Sequence, residues 1–145
     1  MELISIIIVI ITIISLIAWV GQMISGLAPK LAAKLGVMEP ESEVDPVFFT
    51  DARGEAIWDV MTLWTLPLAC ILFLLSNPLW VYFGLVGGGM YVYIWGRISL
   101  VRFMMQKKGM RIGTKKDVKA AYILAFLWGL SGIIMIIISI ISIGI

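Results

Sequence analysis

Asp59 is the one acidic side chain inside a long apolar stretch of this 145-residue sequence. A carboxylate in a hydrophobic helix is costly, which marks it as a functional candidate whose partner must be found. If the chain reverses at Ser76 and Asn77, the position mirroring Asp59 is residue 94, about one helical turn from Arg97. The expectation is therefore a buried Asp59–Arg97 pair at one end of a hairpin, with Glu55 and Arg102 as competitors. Three roles stay open for such a pair: fixing the hairpin, relaying a proton or ion, or catalysis. Downstream, Gly87-Gly88-Gly89 is a candidate for a backbone ligand site or a mid-membrane helix break. Close helix packing is the other reading, because Gly84 and Gly88 stand four apart, the spacing that lets two helices approach. Thr62 and Thr65 lie just before Pro67, close enough to satisfy the carbonyls it frees, or else to line a polar path with Asp59, Tyr91 and Arg97.

What is missing narrows the chemistry further. There is no histidine, hence neither the commonest general base nor the commonest transition-metal ligand. The single cysteine, Cys70, allows no intrachain disulfide and no cysteine-based metal site. No phosphate loop, nucleophile elbow, metal-ligand cluster or pair of intramembrane carboxylates is present. No catalytic residue, metal or cofactor is assigned on this basis, and the balance is against an enzyme.

The elements that position these residues follow from composition. Hydrophobic residues make up 61% and charged residues 14% of the chain, with a mean hydropathy of +1.07. A soluble domain is roughly 45–50% apolar and about 25% charged. Four apolar runs, at about 3–25, 56–75, 78–99 and 120–143, approach the ~20 residues that a helix needs to cross hydrocarbon. The predicted fold is an all-α integral membrane protein, a single four-transmembrane-helix bundle. The first run has only Met1 and Glu2 before it and no small-residue cleavage site, so it reads as a retained span rather than a signal peptide. Pro67 should kink the second span. Ser76-Asn77-Pro78 should turn tightly into the third, with Asn77 as N-cap and Pro78 as first helical residue. Thr114 and Asp117 have the spacing of a capping box for the fourth. Trp19, Trp58, Trp80, Tyr82 and Trp95 fit interfacial belts, with Tyr91 and Tyr93 deeper.

The loops at 26–55 and 100–119 carry nearly all the charge. After the first span, Leu27, Leu31 and Leu35 recur every four residues beside Lys30 and Lys34, between Pro29 and Gly36. This predicts a short amphipathic helix in the interface with its lysines at the headgroups. The stretch from Glu39 to Pro46 reads as an acidic solvent loop, and Thr50 or Asp51 as the cap of the second span. All 11 Lys and Arg lie in or near the two loops, including Lys107, Lys108, Arg111, Lys115 and Lys116. The positive-inside rule makes that side cytoplasmic and both termini extracytoplasmic. Lys30, Lys34 and the second basic loop should contact anionic headgroups, at about 1 kcal/mol per residue near the surface. Nothing in this charge pattern is a nucleic-acid footprint.

In its four spans, outward termini, long first cytoplasmic loop and tight outer hairpin, the chain resembles the MAPEG family of glutathione-dependent membrane enzymes, which are trimers. Arg97 and Arg102 match that family's third-span arginine and tyrosine only loosely, and its Arg, Asn and Glu spacing is not reproduced around Arg53 to Asp59. No residue role is carried over. The resemblance implies an enzyme of lipophilic substrates. The residues themselves favour a non-catalytic protein that acts by helix packing, as an accessory or scaffold subunit of a larger membrane complex or as a homo-oligomer. A channel or transporter with its path near Asp59 and Arg97 is the second reading.

Overall fold

The computed structural model describes residues 2–144, of which 83% are helical, and no strand occurs among them. The elements are α1 (Glu2–Leu27), α2 (Pro29–Lys34), a single 3-10 turn (Glu41–Glu43), α3 (Pro46–Thr62), α4 (Thr65–Leu74), α5 (Trp80–Lys107) and α6 (Lys115–Ile143). Three rods are long and apolar enough to cross a membrane: α1, the α3–α4 pair and α6. The helix α5 has the length, at 28 residues, but its glycines, tyrosines and tryptophans dilute its apolarity.

Local chemistry sets the boundaries. Asp45 caps α3, accepting from the Val47 amide at 3.0 Å, and Pro46 supplies the first helical residue, whose missing N–H costs nothing there. The helix therefore begins ten residues before the apolar run, and Thr50 and Asp51 lie inside it instead of capping it. Thr50 donates back to the Pro46 carbonyl. The rod then breaks at Leu63 and Trp64, not at Pro67 itself. A proline has no N–H to give the carbonyl four residues back, so the fault falls one turn upstream. At the hairpin, Ser76 takes the left-handed conformation (φ 55°), while the Asn77 amide bonds the Leu72 carbonyl to close α4. Asn77 Oδ1 accepts from Leu79 N–H, with regular helix starting at Trp80. Thr114 and Asp117 form the capping box of α6.

The long helices pack in sequence: α1 on α3 and α4, α4 on α5, α5 on α6. The α5–α6 contact is the most extensive, whereas α1 and α6 touch at few points. Two apolar clusters result. One runs through the helices, including Ile8, Ile11, Leu66, Tyr91, Ile94 and Met135. The other lies under the loops and joins Ala32, Met38, Val44 and Phe48 to Ile112 and Val118. Between the loops the Asp45 amide donates to the Arg111 carbonyl at 2.8 Å, so both loops form one layer at the same end of the molecule.

Candidate functional site

Asp59 and Arg97 do not pair. Asp59 is 1% exposed and accepts from Gln22 Nε2 on α1 at 2.8 Å. Arg97 instead meets Asp51 Oδ1 at 2.7 Å and is also in contact with Glu55, two acids one turn apart on α3. The mirror register about the turn does place Arg97 level with the start of the second apolar run, but the acid on its face there is Glu55. Asp59 lies one turn further along and faces α1. Arg102 pairs with Glu39 at 3.0 Å and lies 4.8 Å over the Phe48 ring, tying the end of α5 to the first loop.

Around Asp59 a set of polar groups on one face of α1, buried at Ser15 and half-buried at Trp19 and Gln22, packs against the other helices. Trp19 Nε1 donates to the Val60 carbonyl at 3.0 Å, and the fully buried Tyr91 hydroxyl donates to the Ser15 carbonyl at 3.0 Å. Ser15, Trp19 and Gln22 recur at four- and three-residue intervals, the helical repeat. Because none of them is charged, a scan for ionisable groups passes over this face, and its spacing is the signal that would have found it. Trp19 consequently works inside the packing rather than in an interfacial belt. Trp95 does likewise, lying against Gly129 of α6. Trp58, Tyr82 and Tyr93 are exposed, and Tyr91 is in the core.

The glycines of α5 divide by face. A Cβ on Gly84 would run into Ser139 Oγ, and one on Gly88 would stand 2.7 Å from the Gly132 carbonyl oxygen. One on Gly87 would stand 2.6 Å from the Leu66 backbone nitrogen, while Gly89 and Gly96 face open space. The backbones of α5 and α6 thus touch at Gly88 and Gly132, with no helix break at Gly87-Gly88-Gly89. Thr62 and Thr65 donate to the Trp58 and Thr62 carbonyls, beside the fault that Pro67 creates.

On the other side of α6 the helices stand apart. A cleft of about 830 Å³ opens between α1 and α6, floored by α3 and α5 and closed at one end by the loop layer. Leu16 and Trp128, with the exposed Ile17, Val20 and Leu124, line its apolar part, while Gln22, Glu39, Glu43, Glu55, Arg102 and Asp117 gather toward the loops. The lysines expected at headgroups, Lys30, Lys34, Lys107, Lys108, Lys115 and Lys116, are exposed, as is Arg111. In α2 Ala32 is the buried residue and Leu31 points outward, as do Leu27 at the end of α1 and Leu35 just past α2. Among the described residues no group of three His, Cys, Asp or Glu is placed to hold a metal ion. No protein-family model, curated protein or solved structure matches the chain.

Proposed function

We propose that the chain is a four-span membrane protein whose work is done by packing, as a subunit or scaffold of a membrane assembly or as a self-associating bundle. The observation that carries this reading is the disposition of polar and apolar groups. Three polar side chains reach across between helices, half-buried Gln22 to buried Asp59, half-buried Trp19 to the Val60 carbonyl and buried Tyr91 to the Ser15 carbonyl. The buried Ser139 hydroxyl on α6 has no partner among the described residues. The outward faces are bare hydrocarbon, as at Leu3, Ile6, Ile13 and Ile17 of α1 and Ile123, Ile137 and Ile141 of α6. Faces of this kind suit lipid or a neighbouring helix. In this reading α5 also spans, the third of the four in chain order. Its far end holds the tight turn, and its near end holds Arg97, Arg102 and Lys107 in the layer that carries the other basic residues. That layer faces the cytoplasm by the positive-inside rule, with α2 in the interface and the exposed lysines against anionic headgroups.

Extraction in a mild detergent followed by native mass measurement tests this. A discrete assembly, of copies or with a co-purifying membrane partner, is the expected result. A lone protomer in nanodiscs at every protein concentration, with no partner, would overturn the packing role.

A further inference from the structure

The helices α1 and α6 come together at few points although both are long. The space left is a cleft of about 830 Å³, within the range of roughly 300–1,000 Å³ typical of small-molecule sites. Along α6 it extends from Asp117 to Trp128, which at ~1.5 Å per residue is on the order of 16 Å of depth. One end is therefore apolar and the other polar.

The charge at the polar end is opposite to that of its surroundings. Four carboxylates line it, Glu39, Glu43, Glu55 and Asp117, against one cation, Arg102. Arg102 is held by Glu39, and Glu55 by Arg97, which leaves exposed Glu43 and Asp117 without a basic side chain within ion-pair distance. For Asp117 this concerns its Oδ1 alone, because its Oδ2 accepts from the Thr114 amide and hydroxyl in the capping box. The exposed remainder of this layer is mainly basic, with Lys107, Lys108, Arg111, Lys115, Lys116 and Lys119 against Glu41. An acidic recess inside a basic face rejects an anionic lipid head and accepts a cation, while the walls from Leu16 to Trp128 accept a hydrocarbon tail.

We infer that the α1–α6 cleft binds a single-tailed cationic amphiphile, its ammonium head among Glu43 and Asp117 and its tail along Ile17, Leu124 and Trp128. The inference names a ligand class for the proposed membrane protein and rests on α1 and α6 being membrane spans. The head is held by charge at the loop end and the tail by burial, so the ligand enters sideways from the bilayer.

Trp128 in the cleft wall supplies the readout. The full chain in nanodiscs of phosphatidylcholine is titrated with a tail-brominated dodecylammonium and with the same tail carrying a sulfate head. The Trp128→Phe variant isolates the Trp128 signal. The expected result is saturable quenching of Trp128 by the ammonium compound at a concentration at least tenfold below that needed for the sulfate. Glu43→Gln, on an exposed turn that caps nothing, should weaken the ammonium several-fold, and Glu43→Lys more. Equal quenching by both heads, quenching that rises linearly as for bulk partition, or disulfide formation between copies from Ile17→Cys and Leu124→Cys (a second copy in the cleft) would each overturn the site. Loss of the chain from the bilayer on alkaline extraction would sink the membrane reading and the site with it. A firmly inserted chain that shows no head preference sinks the site alone.

Discussion

The helix α6 makes two seams that differ in kind. Against α5 it presents Gly129 and Gly132, which meet Trp95 and Gly88, and the backbones touch. Against α1 it presents Ala120, Ala121, Leu124 and Trp128, which leave a cleft. The first seam is closed because glycines let carbonyl and Cα groups of two helices come within contact, the condition under which weak Cα–H···O contacts and dispersion act without a hydrophobic drive. The second is open because Ala120 and Ala121 are too short to reach α1 and Leu124 and Trp128 leave the space between the helices unfilled. One helix therefore serves both as a fixed wall and as the side of a recess, and the side-chain sizes on its two faces divide the roles.

The largest expected effect breaks the closed seam. Gly88→Leu puts a branched side chain where a Cβ alone would be 2.7 Å from the Gly132 carbonyl, so the helices must separate. The cost should be roughly 2–3 kcal/mol or more, since overpacking a tight contact commonly costs that. Gly89→Leu, on an open face, should be close to neutral. Unfolding of both variants in mixed micelles by sodium dodecyl sulfate measures the difference, and equal tolerance would mean that the seam is not closed.

Next in size is the polar contact that anchors α1 to α3 beside the cleft. Gln22→Leu leaves the buried Asp59 without its donor and should cost about 1–3 kcal/mol, the penalty of a stranded buried polar group. The double variant Gln22→Leu with Asp59→Leu should be less destabilised than Gln22→Leu alone, because no charge remains to be stranded. The same unfolding assay reads the cycle. A double variant worse than the single would show that Asp59 has a role beyond this contact.

Filling the open seam should act in the other direction. Ala121→Leu adds apolar volume to the cleft and should raise stability by about 0.5–1 kcal/mol, as cavity-filling changes commonly do. It should also reduce amphiphile binding. The smallest effect lies away from both seams. Ser76 occupies a left-handed conformation with φ 55°, so Ser76→Gly should stabilise the hairpin by about 0.5 kcal/mol after the added freedom of the unfolded chain is subtracted. A loss at this position would place the turn elsewhere.

How far these features could be read in the sequence depends on whether their cause is local. The Thr114–Asp117 capping box, the helix fault near Pro67 and the reversal at Ser76 depend on a few adjacent residues, and each is legible from them. The start of α3 is also local, yet Asp45-Pro46 sits at the edge of an acidic stretch that resembles a loop, and apolarity was the wrong guide to a helix whose first ten residues lie in the loop layer. The partners of the charges are not local. Asp59, Glu55 and Asp51 lie on one helix within two turns, and a rotation of α3 decides which of them faces Arg97 and which faces Gln22. The cleft is the least legible feature, because it arises where α1 and α6 fail to meet, and no stretch of sequence records a gap between two helices distant in the chain.

Both seams of α6 require α5 to cross the bilayer, so that α6 returns beside it. Sidedness of labelling tests this most directly, using single cysteines at Glu43, Lys108 and Ser76 in a Cys70→Ala background and a membrane-impermeant thiol reagent on sealed vesicles. The account predicts that the cysteines at positions 43 and 108 react from one side, the cytoplasmic one, and the cysteine at 76 only from the other. Reaction of the position 76 cysteine from the same side as that at 43 would contradict the four-span arrangement.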